Sequence, residues 1–323
     1  MTHFPAFYDP DRIGTLYYPD LAAIANAAAA AGLAPAAADK QKVHLVIIDM
    51  QVDFCHAQGS LHVPGARDDI RRLIEFIFRH AASITNITCS LDSHLPYQIF
   101  HPAWWINDAG EHPAPFTMIT YDDIKQGRWR PLVAPVVSTN YVRELEQQAK
   151  KQLTIWPYHV GIGGIGHALD PELWSAVMWH SLARKSQPTW LTKGSVPQTE
   201  HYSIIQPEIT VPGHPLGGKN KVFLDTLEEA DTIVIAGEAE SHCVLETVED
   251  LVDEFGNRPE LLAKIYFLHD CTSPVVHPDV DFHAIAMKQL EAFARQGINL
   301  VDSREPLPFL HPNERQRLPA STD

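Results

Sequence analysis

Residues 232–256 read TIVIAGEAESHCVLETVEDLVDEFG. TIVIA (232–236) is a short, unbroken apolar run rich in β-branched residues, as expected of a strand buried on both faces. Gly237 ends the run, and SHCVLETVEDLVDEFG (241–256) reads as a helix. Working outward, the same alternation recurs. VHLVII (43–48) is a strand, followed by DDIRRLIEFIFRHAA (68–82) as an amphipathic helix and ITNITCSL (84–91) as a strand. PELWSAVMWHSLARK (171–185) is a helix before the strand PTWLT (188–192). KIYFLHD (264–270), DFHAIAMKQLEAFARQG (281–297) and INLVD (298–302) repeat the pattern as strand, helix and strand. Such alternation predicts an α/β fold with a parallel sheet covered on both faces.

Two parts of the chain stand outside this pattern. Residues 1–40 form an N-terminal extension whose DLAAIANAAAAAGLAPAAA stretch predicts an Ala-rich helix. Residues 41–323 make one domain, interrupted by irregular segments near 102–155 and 204–224. Long irregular segments inside an α/β domain often serve as lids or interface arms. The first contains a charged helix, YVRELEQQAKK (141–151), and an aromatic pair, Trp104-Trp105, whose exposure would favour a homo-oligomer; the alternatives are that the pair lines the site or packs under its own loop.

Composition bounds the function. The chain has 323 residues, 45% of them hydrophobic, enough for a substantial core. A formal net charge of -15 argues against a nucleic-acid partner. No apolar stretch approaches the roughly 20 residues that span a bilayer, so no membrane association is expected. The four cysteines show no framework spacing, and the first residues lack the pattern of a secretory signal. A cytoplasmic protein with reduced thiols is expected.

The polar residues fall where the strands end. VHLVII leads to Asp49, ITNITCSL to Asp92-Ser93-His94, PTWLT to Lys193-Gly194, and TIVIA to Gly237 and then Cys243. Ligands in open parallel sheets sit outside the carboxyl ends of the strands, so these groups should converge on one crevice. Ser241 is a candidate N-cap that would set Cys243 in the first helical turn, where the helix dipole lowers a thiol pKa. A free cysteine on its own is more often a buried core residue. Here Asp49 could accept its proton, and Lys193 could hold both partners ionised. His242 is adjacent to Cys243 and does not face it on a helix.

Asp92-x-His94 with His159, in WPYHV (156–160), supplies one carboxylate and two imidazoles. These suit a divalent Zn, Fe or Mn ion. His101 is a further candidate ligand. The remaining histidines, His180 and His201 among them, read as packing or surface residues.

VIIDMQVDFC (46–55), SLDSHLP (90–96), WPYHV (156–160), TKGSVP with EHYS (192–203) and AGEAESHCV (236–244) resemble, in order, the signatures of the nicotinamidases within the isochorismatase-like cysteine hydrolases. The resemblance covers roughly residues 43–303, apart from the two insertions. It implies a three-layer α/β/α fold. It also implies a catalytic Asp49, Lys193 and Cys243, and a metal held by Asp92, His94 and His159. The backbone N–H groups of Ala239 and Cys243 would form an oxyanion hole, with a cis peptide at Glu238–Ala239. Phe54 and Trp156 would hold the substrate ring. The chain departs from the family at Glu240-Ser241, where a Thr-Asp or similar pair is usual. The activity implied is hydrolysis of nicotinamide to nicotinate and ammonia through a Cys243 thioester. The alternatives are a related amidase acting on a larger amide or carbamoyl compound, and a non-catalytic binding module on the same fold.

Overall fold

The computed structural model describes residues 4–149, 151–276 and 280–310. Its central sheet contains β1 (Val43–Ile48), β2 (Ile84–Asp92), β3 (Thr189–Lys193), β4 (Thr232–Gly237), β5 (Ile265–Leu268) and β6 (Asn299–Val301). All pair in parallel in the order β6-β5-β4-β1-β2-β3. The principal helices are α1 (Leu21–Ala30), α2 (Ala66–His80), α3 (Pro135–Glu144), α4 (Pro171–Arg184), α5 (Lys221–Glu228), α6 (Leu245–Phe255) and α7 (Phe282–Gln296).

The apolar run of β1 is buried at every position because alternate side chains enter different cores. Val43, Leu45 and Ile47 pack with α2 and α4, whereas Val46 and Ile48 pack with α5, α6 and α7. The result is the expected three-layer α/β/α arrangement. The chain adds β2 and β3 on one side of β1, then returns to place β4 on the other. The switch point therefore lies at the carboxyl ends of β1 and β4, where an open sheet forms its ligand crevice.

The N-terminal extension packs on this body. Asp20 caps α1 by accepting the N–H groups of Ala22 and Ala23, and Ile24 and Ala28 pack against Trp179 and Ala183 of α4. The segment around 102–155 has a core of its own. Ile99, Phe100, Trp104, Trp105, Tyr141, Val142, Leu153 and Trp156 form one buried cluster. Two short antiparallel pairs brace it, Trp105–Ile106 with Arg130–Pro131 and Met118–Ile119 with Leu153–Thr154.

One open alternative is decided here and one expectation is corrected. Trp104 and Trp105 are buried under their own segment, with the indole N–H of Trp104 on Ser138 Oγ and that of Trp105 on Ile99 O. They offer no exposed arm to a partner. The charged helix begins at Pro135, which occupies the first turn where a missing N–H costs nothing, and gives way to a π-turn at Leu145–Ala149. Residue 150 of the expected helix and residues 311–323 of the expected domain lie outside the described residues. Among the described residues, no helix is long and apolar enough to cross a membrane.

Candidate active site

Strand register brings the polar groups together. Asp92 stands opposite Lys193 across β2 and β3, and Ile48 opposite Gly237 across β1 and β4. Two glycines permit this closeness. A Cβ on Gly237 would stand 2.2 Å from Ile48 O, and one on Gly194 would stand 2.2 Å from Asp92 Oδ1. Both glycines also have positive φ, at 141° and 81°.

Lys193 is the hub. Its Nζ lies 2.9 Å from Asp49 Oδ2, 3.1 Å from Asp92 Oδ1, 2.9 Å from His201 O and 3.5 Å from Cys243 Sγ. Asp49 is fully buried, and its Oδ1 accepts the Ser90 hydroxyl at 2.6 Å. Burial would strip Lys193 of its proton, but Asp49 and Asp92 outweigh it and hold the pKa well above the usual lysine range. Burial raises Asp49 against the pull of Lys193, which makes it a better proton acceptor than a solvated aspartate.

Cys243 differs from expectation. Burial pushes its thiol well above the ordinary range, with Lys193 opposing the rise and Asp49 and Asp92 adding to it. The expected regular first turn is replaced by a π-turn, Glu240–Val244, before α6 begins at Leu245. Ser241 does not cap it. Its hydroxyl accepts Val275 N–H and meets His242 Nδ1. The resting pair is therefore a thiol beside a carboxylate, with the lysine stabilising whichever of the two carries the negative charge. The Glu238–Ala239 peptide is cis.

Next to this triad lies a group of imidazoles. One ligand atom from each of His94, His101 and His159 lies within 4.8 Å of the others. His94 Nδ1 and both ring nitrogens of His101 are buried without a hydrogen-bond partner, and His159 Nδ1 meets Pro157 O at 2.7 Å, leaving Nε2 for a ligand. Burial lowers His101 to about 4 and His159 to about 3, so both are neutral, the form that binds metals. These donors fit a divalent ion. His101 thus belongs to the cluster. Asp92 sits at its edge, with Oδ2 3.0 Å from His94 Nε2 and Oδ1 on Lys193. Burial works to raise Asp92, but His94 and Lys193 hold it well below the usual carboxylate range.

A cleft with about 480 Å³ of unfilled space, its open mouth included, runs between Cys243 and the imidazoles of His94 and His159. Phe54, Trp156, His159, Ala239 and Cys243 all line it. The Phe54 and His159 ring centroids are 5.5 Å apart. Sequence reasoning missed part of the wall. Glu200, Tyr202 and His242 also face the cleft. Trp156 Nε1 donates to Glu200 Oε1 at 2.5 Å and lies 3.0 Å from Tyr202 Oη. Burial raises Glu200 to about 8, so it is a neutral acid near neutrality. The signal for this wall was EHYS (200–203), where the strand-end rule assigns no role because the residues lie beyond the turn after β3. His201, read as a packing or surface residue, also lines the cleft.

A structural comparison reports the same architecture in solved enzymes. The yeast nicotinamidase bound to the inhibitor nicotinaldehyde superposes with a TM-score of 0.54 at 20% identity, covering 80% of this chain and 99% of that one. The fold is that of the nicotinamidases. An Acinetobacter baumanii nicotinamidase/pyrazinamidase gives a TM-score of 0.53 at 18% identity, covering 82% of this chain and 98% of that one. No protein-family model matches the chain, and no curated protein matches it significantly. On this nicotinamidase fold the Asp49–Lys193–Cys243 cluster occupies the switch point between β1 and β4.

Proposed function

We propose that the chain is a metal-assisted cysteine amidohydrolase whose substrate is nicotinamide. One observation carries the reading. A single buried ammonium, Lys193 Nζ, contacts Asp49, Asp92 and Cys243, and of these Asp92 and Cys243 line an aromatic-walled cleft. The solved yeast neighbour takes nicotinaldehyde, an aldehyde counterpart of nicotinamide, as inhibitor, which supports a pyridine ring as the group held.

The residues perform the steps as follows. The ring lies between Phe54 and Trp156, with its carboxamide towards Cys243. Asp49 takes the thiol proton, and the thiolate sulfur bonds to the carbonyl carbon. The oxyanion accepts hydrogen bonds from the Ala239 and Cys243 N–H groups. Asp49 passes its proton to the departing nitrogen, the C–N bond breaks and ammonia leaves. Asp49 then takes a proton from water, whose oxygen attacks the thioester carbon. The C–S bond breaks, Asp49 returns its proton to the thiolate, and the product acid departs, losing its proton to water to become nicotinate. Lys193 stays charged throughout and offsets the negative charge as it moves between carboxylate and sulfur. His94, His101 and His159, with Asp92 beside them, would hold the divalent ion. When bound, the ion supplies a Lewis-acidic anchor for an electron-pair donor on the substrate.

A second reading rests on Glu200. A neutral acid in the cleft wall, backed by Tyr141 Oη accepting its backbone N–H at 3.0 Å, suits a ring with a further polar substituent. The test is ammonia release across a panel of amides by metal-loaded protein. Turnover of nicotinamide, lost in Cys243→Ala while metal binding persists, is the expected result. Release undiminished in Cys243→Ala would remove the covalent route. Turnover of another amide far above nicotinamide would move the substrate to the second reading.

A further inference from the structure

The hydrolytic steps assign no role to Ser90, a hydroxyl set inside the central sheet. It lies on β2, one residue beyond the pairing of Cys89 with Ile47 of β1, and is fully buried. A buried hydroxyl needs partners, and Ser90 finds both of its strand-to-strand partners in one residue. Its Oγ accepts the Asp49 N–H at 3.1 Å and donates to Asp49 Oδ1 at 2.6 Å. A serine hydroxyl has a single proton to give. The backbone N–H takes a lone pair of the oxygen, and the proton is left for the carboxylate.

The two carboxylate oxygens of Asp49 are thereby made unequal. Oδ1 is engaged by Ser90. Oδ2 forms the 2.9 Å ion pair with Lys193 but no hydrogen bond of good geometry, and Lys193 Nζ directs its hydrogen bonds to His201 O and Cys243 Sγ. Oδ2 is thus the oxygen with room for a proton, and it stands on the ammonium that touches the sulfur. We propose that Ser90 is the positioning residue of the base, locking the Asp49 carboxylate so that Oδ2 rather than Oδ1 is presented to Cys243. This inference rests on the proton-accepting role proposed for Asp49.

The backbone at Asp49 needs the same anchor. Its φ is 47°, in the left-handed region that residues with a Cβ adopt reluctantly. Ser90 grips it on both sides of the Cα, at the N–H and at the carboxylate. The Asp49 carbonyl is held separately, accepting the Gln51 N–H at 2.7 Å. Ser90 itself cannot follow a swinging carboxylate, because β2 is paired with β1 on one side and with β3 on the other, where Ser90 stands opposite Leu191. Alanine at this position would leave the sheet ladders intact and remove both bonds to Asp49. The carboxylate would then be free to turn about its terminal torsion, and a base misplaced by about 1 Å costs on the order of 10²-fold in rate.

The test is a double-variant cycle of Ser90→Ala and Asp49→Asn. It is read by kcat and KM, and by the rate at which iodoacetamide alkylates Cys243, followed by peptide mapping. With Asp49 present, Ser90→Ala should lower kcat by about 10–100-fold and change KM by less than about threefold. It should also slow alkylation of Cys243 by about tenfold, because the thiolate is the reacting form. In Asp49→Asn there is no base to aim, so Ser90→Ala should change either rate by less than about threefold. A residue that merely supports the sheet would cost the same factor in both backgrounds. Equal factors in the two backgrounds, or Ser90→Ala with wild-type kcat and alkylation rate, would overturn the proposal. Should Ser90→Ala not fold, Ser90→Cys takes its place in the cycle, since a thiol keeps the shape and donates only weakly. If the wild type hydrolyses no amide, the proposed function fails, and the alkylation cycle still tests whether Ser90 acts through Asp49.

Discussion

The sheet body and the core around the 102–155 segment both contribute to one cleft, by different means; that core does so through Phe100 and Trp156, which flank the segment. In the body, Asp49, Asp92, Lys193 and Cys243 hang from the ends of β1, β2, β3 and β4, whose register is set by continuous parallel ladders. In that core, Trp156 is held by a separate cluster around Trp104 and Trp105, with little regular structure beyond α3 and two short strand pairs. The groups proposed to react are thus mounted on the central sheet, and the group proposed to hold the ring on a smaller, self-contained core. The difference teaches that chemistry and substrate fit are separable here. A substitution in one region should leave the other's contribution standing.

The largest expected effect sits in the body. Asp49→Asn keeps the shape but cannot accept the Cys243 proton, so kcat should fall by about 10²–10⁴-fold, with a much smaller change in KM. Steady-state kinetics on nicotinamide checks this. A fall in kcat below about tenfold would mean that another group takes the proton, and the sharp division between the two regions would go with it.

Next in size is a paired truncation. Trp104→Ala and Phe76→Ala both empty fully buried aromatic sites and should each cost about 3–5 kcal/mol. Phe76 belongs to the body core and Trp104 to the segment core. Phe76→Ala should lower the main unfolding temperature and leave KM of the remaining folded enzyme unchanged. Trp104→Ala should loosen the Trp156 wall, raising KM severalfold with kcat less affected. Calorimetry with kinetics separates the outcomes. Identical KM values for the two variants would show that the segment core does not hold the substrate wall.

How much of this is legible in the chain follows from the same division. The strands of the body are apolar runs ended by Gly or a polar residue, and period and punctuation survive in sequence. Asp49, Lys193 and Cys243 could be placed because the ends of parallel strands converge by geometry. The protonation of Cys243 could not, because it depends on how deeply the thiol is buried and on the carboxylates facing it, and neither is local. Nor could the π-turn at Glu240–Val244, since Ser241 has an ordinary N-cap look and its tertiary partner, Val275 N–H, is remote. His101 and Trp104 sit in a stretch without periodicity. Whether such residues face solvent, metal or their own core is decided by packing across the segment rather than by neighbours in sequence.

The smallest expected effect lies where the two regions meet. Glu200 belongs to the chain following β3, but Trp156 and Tyr141 of the segment core close over it. Burial lifts its pKa from 4.5 to about 8, so the folded protein holds a proton there that the unfolded chain has released at neutral pH. Stability contributed by this group is complete below about 4.5 and disappears as pH rises through about 8. One such proton can change the unfolding free energy by at most about 1.4 kcal/mol per pH unit. Glu200→Gln keeps an acceptor for the Trp156 N–H and has no proton to lose, so its stability should decline less between pH 5 and 8 than that of wild type, roughly by that slope. Denaturant unfolding at several pH values reads the difference. Because the acid is closed in by the segment, Trp104→Ala should diminish the same slope by letting water reach Glu200. If the slope survives in Trp104→Ala but vanishes in Glu200→Gln, the acid is buried by the body alone, and the two cores are less coupled at this wall than the Trp156–Glu200 hydrogen bond implies.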